Sequence, residues 1–167
     1  SFPTRRSSDL EMNYKSESIK FHIKSGEVLN VTKKNNLLSL TMPAYEPIII
    51  DQNLEELNDA FGIKPKLFLY CNYGLAIFNN EKEISQIVPN LNIIEKLPYN
   101  GIIVTAPGKK VDFVSRFFAP KLGILEDPVT GSAHCELIPY WASVLKKKNM
   151  IARQLSERGG QLYCSHL

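Results

Sequence analysis

Apolar residues at Ile19, Phe21 and Ile23 alternate with Lys20, His22 and Lys24, a period of two that predicts a β-strand. Ser25-Gly26 predicts a turn and Val28 to Val31 a second strand. After the polar stretch Lys33 to Asn36, alternation returns at Leu38, Leu40 and Met42. Together these predict an antiparallel meander, ended by Pro43 and Pro47, with the PAYEP segment as a crossover. The period then changes. Leu54, Leu57 and Phe61 predict a short helix, with Asp51 or Asn53 as its N-cap and Gly62 as its stop. Lys66 to Cys71 and Leu75 to Phe78 predict strands around the break Asn72-Tyr73-Gly74. Glu81 to Val88 predicts a helix closed by Pro89, and Ile102 to Thr105 and Val111 to Phe118 predict two more strands. On the last of these Asp112, Val114, Arg116 and Phe118 share one face.

Toward the C-terminus, Ala133, Leu137, Tyr140, Trp141, Val144 and Leu145 fall at helical intervals, with Pro139 predicting a kink. Gln154 to Cys164 alternates around Arg158-Gly159-Gly160, the pattern of a hairpin. Turn-linked strands with helices set between them predict an α+β fold; the long βαβ alternation of a doubly wound sheet is absent.

Composition changes this picture little. Of 167 residues, 44% are hydrophobic and 22% charged, as in an ordinary globular domain with a real core. The net charge of +3 is small and dispersed, which gives no reason to expect a nucleic-acid partner. Lys146-Lys147-Lys148 fits a solvated helix end. Cys71, Cys135 and Cys164 are odd in number and widely spaced, matching neither a disulfide framework nor a zinc site. No apolar run approaches the length of a membrane span. A cytoplasmic protein without a metal centre or a membrane partner is expected. Ser1 to Leu10, SFPTRRSSDL, lacks the apolar core of a secretory signal and resembles a translated sequencing adapter. It is expected to be a non-native leader that packs against nothing.

The stretch with chemical potential is Phe117 to Cys135, FFAPKLGILEDPVTGSAHC. It passes from an apolar strand through the acidic pair Glu126-Asp127 to the turn Thr130-Gly131-Ser132 and a helix start. The first N–H groups of a helix lack intrahelical partners and carry partial positive charge, so such a turn suits an anion. Asp127 stands where a carboxylate could exchange a proton beside that anion. A plainer reading has Asp127 and Ser132 as helix caps and Pro128 shaping the turn. Spacing alone leaves both open. A phosphate loop is excluded, since Gly131-Ser132 is followed by Ala133 and no lysine. His134 makes a poor base for a Cys135 nucleophile, because adjacent helical side chains diverge by about 100°. His22, His166 and Cys71 receive no role.

The run EDPVTGSAH, followed by PYW at Pro139 to Trp141 and QLSERGGQLYC from Gln154 to Cys164, and preceded by RFFAP at Arg116 to Pro120, resembles the PhzF-like phenazine-biosynthesis isomerase family. That family shares the two-lobed diaminopimelate epimerase fold. The resemblance implies that residues 11–47 end a first lobe and that residues 48–167 form a second lobe lacking its last strands. It implies a cofactor-independent isomerase that moves a proton on a small carboxylic acid. Asp127 would assist the acid/base chemistry, and Gly131, Ser132 and Ala133 would hold the substrate carboxylate. It also allows a homodimer. The glutamate and histidine motifs of the family's first lobe do not occur here, so the chain is expected to be an inactive fragment with open strand edges. Related epimerases carry a cysteine where Thr130 stands, which disfavours two-cysteine racemisation. An amino-acid epimerase is therefore the alternative enzyme, and a non-catalytic carboxylate-binding or interaction module the alternative from another class.

Overall fold

The first strands form as their alternation predicts. The computed structural model describes residues 18–22, 28–34 and 37–167. Within them β1 (Ser18–His22), β2 (Val28–Lys34) and β3 (Leu37–Thr41) make an antiparallel sheet in that order. Ile19 faces Val31, Phe21 faces Leu29, and Val31 faces Leu40 across the strands. Leu29 is buried, whereas β3 is exposed along its whole length. The expected leader Ser1 to Leu10 and the turn at Ser25-Gly26 lie outside the described residues. The chain divides after Pro43, and Ala44–Leu167 forms a separate compact unit.

That second unit is built on a seven-stranded sheet. Its strands are β4 (Ile48–Ile49), β5 (Leu67–Tyr70), β6 (Gly74–Ile77), β7 (Ile102–Pro107), β8 (Phe113–Phe118), β9 (Asn149–Gln154) and β10 (Gly160–Ser165). They lie side by side in sequence order. Most neighbours are antiparallel, but β6–β7 and β8–β9 are parallel. A parallel neighbour needs a crossover, which a helix normally supplies. Helices α2 (Glu81–Gln86) and α3 (Leu91–Lys96) fill the first crossover, and α4 (His134–Leu145) fills the second. The mixed sheet agrees with the α+β expectation, and the EDPVTGSAH run falls in the second crossover, beyond the carboxyl end of β8.

Side chains leaving alternate faces of the strands enter two separate cores. Phe68, Ala76, Val104, Val114 and Phe118 pack with Leu57 and Phe61 of α1 (Leu54–Phe61), Ile84 of α2 and Ile94 of α3. Leu69, Leu75, Ile103, Phe113 and Phe117 pack with Leu137 and Trp141 of α4. Filling both faces explains why Lys66 to Cys71 and Ile102 to Thr105 read as nearly continuous apolar runs.

Asparagines set the helix starts. The side chains of Asn53, Asn80 and Asn90 each accept a backbone N–H of the first turn, so the cap of α1 is Asn53 rather than Asp51. Gly62 closes α1 with φ of 71°, a left-handed turn suited to glycine. Periodicity did not predict strand β4, the part of β9 before Gln154, or helix α3. The six residues of α3 bury only Ile94, too little to make an apolar stripe. Helix α4 runs through Pro139. Proline cannot donate to the carbonyl four residues back, that of Cys135, and the N–H of Tyr45 reaches it instead at 2.8 Å. No helix among the described residues is long and apolar enough to cross a membrane.

Under α4 the sheet carries one polar contact that locks the core. Thr105 is fully buried, donates to the Val114 carbonyl at 2.7 Å and accepts from Trp141 Nε1 at 3.0 Å. Trp141 in turn stacks flat on Phe113, with centroids 5.6 Å apart. Thr105→Val keeps the shape but strands the indole N–H, and should lower unfolding stability in urea by about 1–3 kcal/mol. An unchanged midpoint would mean the indole finds another acceptor.

Candidate active site

The loop between β8 and α4 is tied to the sheet at both ends before any functional group is placed. Arg116 leaves β8 and forms a two-pronged ion pair with Glu126, Nε to Oε1 at 2.7 Å and Nη2 to Oε2 at 2.9 Å. Its remaining terminal nitrogen donates to the carbonyls of Ile84 and Ile87, and its guanidinium lies over the Phe118 ring. A half-buried, bidentate pair of this kind fixes geometry as well as charge. Glu126, one half of the acidic pair, is thus an anchor. Its neighbour Asp127 donates its own N–H to the Phe117 carbonyl at 3.0 Å.

Gln154, at the end of β9 and almost wholly buried, closes the other side. Its Oε1 accepts the N–H of Thr130 at 2.8 Å, and its Nε2 donates to the Asp127 carbonyl at 2.7 Å and to Thr130 Oγ1 at 3.1 Å. Thr130 Oγ1 then donates to Asp127 Oδ2 at 2.5 Å. One carboxylate oxygen of Asp127 is held, and Oδ1 takes no hydrogen bond among the described residues. Ser156 of the β9–β10 turn donates to the Pro128 carbonyl at 2.6 Å. Gly160 lets Val129 come close, since a Cβ there would lie 2.5 Å from Val129 Cγ2.

The start of α4 corrects the capping alternative. Its N-cap is Ala133, with helical backbone angles and no side-chain cap, so neither Asp127 nor Ser132 caps it. The N–H groups of His134, Cys135 and Glu136 turn back to the carbonyls of Gly131, Ser132 and Ala133. The N–H groups of Gly131, Ser132 and Ala133 themselves make no hydrogen bond among the described residues. Gly131 is not one of the glycines with a left-handed φ, which among the described residues are Gly62, Gly123 and Gly159. Three consecutive amides at a helix N-terminus, with Ser132 beside them, can take one carboxylate.

Two further polar groups escaped the sequence reading. Tyr73, on the β5–β6 turn, brings its hydroxyl to 3.2 Å from Ser132 Oγ. Glu136 is fully buried, and its Oε1 accepts the N–H of both Asn72 and Tyr73 at 3.1 and 3.0 Å. Burial pushes its carboxyl up to about 7, partly offset by those two N–H groups, and Oε2 has no partner among the described residues. A charged residue between Cys135 and Leu137, inside an apolar helical run, was the available signal. His134 is buried with Nδ1 at 2.8 Å from the Thr130 carbonyl, which assigns the proton to Nδ1. Burial pulls its proton affinity down, so it acts as a neutral prop for the turn. It does not serve Cys135. Burial also raises the Cys164 thiol to about 11, far from reactive.

Comparison with known proteins points one way. The family model described as phenazine biosynthesis-like protein, PhzC-PhzF, matches residues 8–166. A Pseudomonas aeruginosa protein described as an uncharacterized isomerase is 43% identical over 149 residues, covering 89% of this chain and 56% of its own length. A mouse phenazine biosynthesis-like domain-containing protein is 53% identical over 97 residues, 54% of this chain and 33% of the relative. The crystal structure of a PhzF-family phenazine biosynthesis protein from Enterococcus faecalis superposes with a TM-score of 0.91 at 38% identity, over 98% of this chain and 63% of that one. A PhzC/PhzF protein from Clostridium difficile gives 0.85 at 40% identity, over 96% and 61%. The chain spans about half the length of the curated bacterial relatives it matches.

The buried Glu136 carries a pH prediction. Its carboxyl rises from 4.5 to about 7 on folding, so folding binds a proton. The stability it contributes is complete below about pH 4.5 and is lost as pH rises through 7, at a cost on the order of 3 kcal/mol. Glu136→Gln should therefore gain on the wild type between pH 5 and pH 8 in urea unfolding. A difference between the two proteins that does not change with pH would show that Glu136 stays ionised in both states.

Proposed function

Because the chain belongs to the phenazine biosynthesis-like family, PhzC-PhzF, and several bacterial relatives are described as uncharacterized isomerases, we propose that it carries the carboxylate-holding half of an isomerase site, acting in the cytoplasm on a small carboxylic acid. The observation that carries this reading is that one short loop holds Asp127, with one carboxylate oxygen unpartnered among the described residues, and then three amides, of Gly131, Ser132 and Ala133, that have no partner among them either. A substrate carboxylate on the amides is neutralised by the helix N-terminus and by the Ser132 hydroxyl. Neutralising it makes a neighbouring C–H more acidic, because the carbanion that forms no longer meets a full negative charge.

Asp127 handles the proton. The Thr130 hydroxyl on Oδ2 fixes the carboxylate, which leaves Oδ1 to face the reacting atom. No metal or organic cofactor enters this scheme. Thr130 spends its hydroxyl proton on Asp127 and has no thiol to offer, so a two-cysteine epimerase is the poorer fit. The resemblance assigns the second proton carrier to a glutamate, with a histidine, of the first lobe. This sequence has neither motif, and we expect the chain by itself to turn nothing over.

The test uses the complete two-lobed protein in deuterated water, with a panel of small carboxylic acids bearing an activated C–H followed by proton NMR. Asp127→Asn keeps the shape and should lower the exchange rate at least about a hundredfold, the low end for a positioned acid/base. KM should change far less. Exchange at the wild-type rate in the variant would make Asp127 a structural residue. Binding without exchange in the wild type would favour a carboxylate-holding module over an enzyme.

A further inference from the structure

The polar groups around Ser132 form a chain that the reaction scheme does not use. Tyr73 sits half-buried on the β5–β6 turn, 59 residues away in sequence, and its hydroxyl meets Ser132 Oγ. Two contacts hold the ring in place. Its edge packs on Phe117 with centroids 4.9 Å apart, at 73°. Its backbone N–H, with that of Asn72, is held by the buried Oε1 of Glu136, one turn into α4 from Ser132. The turn into α4 therefore supplies the hydroxyl, and the first turn of α4 supplies the carboxyl that fixes the hydroxyl's partner. A hydroxyl has one proton to give and can accept two. If Ser132 gives its proton to Tyr73, it has none for an anion. If Tyr73 donates, the Ser132 proton is free.

We propose that Tyr73, held on its turn by Glu136, is a positioning residue of the carboxylate site: it donates to Ser132 Oγ and so leaves the Ser132 hydroxyl proton directed at the bound anion. The arrangement is cooperative, since an oxygen that accepts a hydrogen bond becomes a stronger donor. Glu136 contributes through the backbone. With Oε1 occupied by two N–H groups, it fixes where the Tyr73 ring leaves the turn. Cys71 is the other titratable group on that turn, and burial, with the Glu136 carboxyl second, raises its thiol. Tyr73 gains importance only if Ser132 holds a carboxylate, so the inference rests on the reading above.

Benzoate serves as the probe, titrated calorimetrically into the complete protein and its variants. Ser132→Ala and Tyr73→Phe should each weaken binding about fivefold or somewhat more, the worth of one hydrogen bond to an ion. The double variant should bind within about twofold of Ser132→Ala, because Tyr73 acts through the hydroxyl already removed. Glu136→Gln, which keeps an acceptor for both N–H groups, should retain affinity within about twofold, and Glu136→Leu should lose what Tyr73→Phe loses. Equal losses from Tyr73→Phe with and without Ser132 would overturn the proposal and leave the carboxylate site standing. No loss from Ser132→Ala would overturn both.

Discussion

The candidate site depends on a single buried amide. Gln154 has no solvent to satisfy it, so its oxygen and nitrogen must find partners in the protein, and both find them on one short loop. By taking the Thr130 N–H and giving to the Asp127 carbonyl, it ties together the two ends of the segment from Asp127 to Thr130. It stands at the end of β9, which runs parallel to β8 and pairs Gln154 with Ser115. The sheet therefore sets the position of the loop. The Arg116–Glu126 pair repeats the logic from β8, so the loop that leads into α4 is held from two strands.

The hydrogen bonds also have a direction. Gln154 Nε2 donates to Thr130 Oγ1, and Thr130 donates onward to Asp127 Oδ2. A primary amide nitrogen can only donate, so the sense of the chain is settled at its origin. It delivers a proton donor to one carboxylate oxygen and leaves the other open. Ser132 is served by a second chain, which begins at the β5–β6 turn. Two strand-end devices thus converge on one helix start, which suits a fold in which the crossover containing the motif passes the carboxyl ends of the strands.

How much of this was legible follows from distance along the chain. Elements with a local cause were readable: the strand alternation from Ile19 to His22, the Gly62 stop, a C-terminal hairpin whose turn ends at Gly159, and the α+β class, which is that of the diaminopimelate epimerase-like fold shared by the family. The short motif also announced its own helix start. Gln154, Tyr73 and Glu136 were not readable, because their partners lie 24 to 64 residues away and periodicity says nothing about which turn meets which helix. The acidic pair looked like one feature and is two, with Glu126 bound to Arg116 and Asp127 turned to Thr130. The capping alternative failed because three-residue turns at Gly131 to Ala133 carry the chain into α4 without a side-chain cap.

The central claim is that the N–H groups of Gly131, Ser132 and Ala133 receive a carboxylate beside Asp127. Amide proton and nitrogen shifts, recorded by NMR while benzoate is added, read it most directly. The account predicts that these three resonances move downfield together and saturate at one common concentration, with the Thr130 amide, already held by Gln154, moving least. Saturable shifts that map to another surface, while those three stay still, would contradict it.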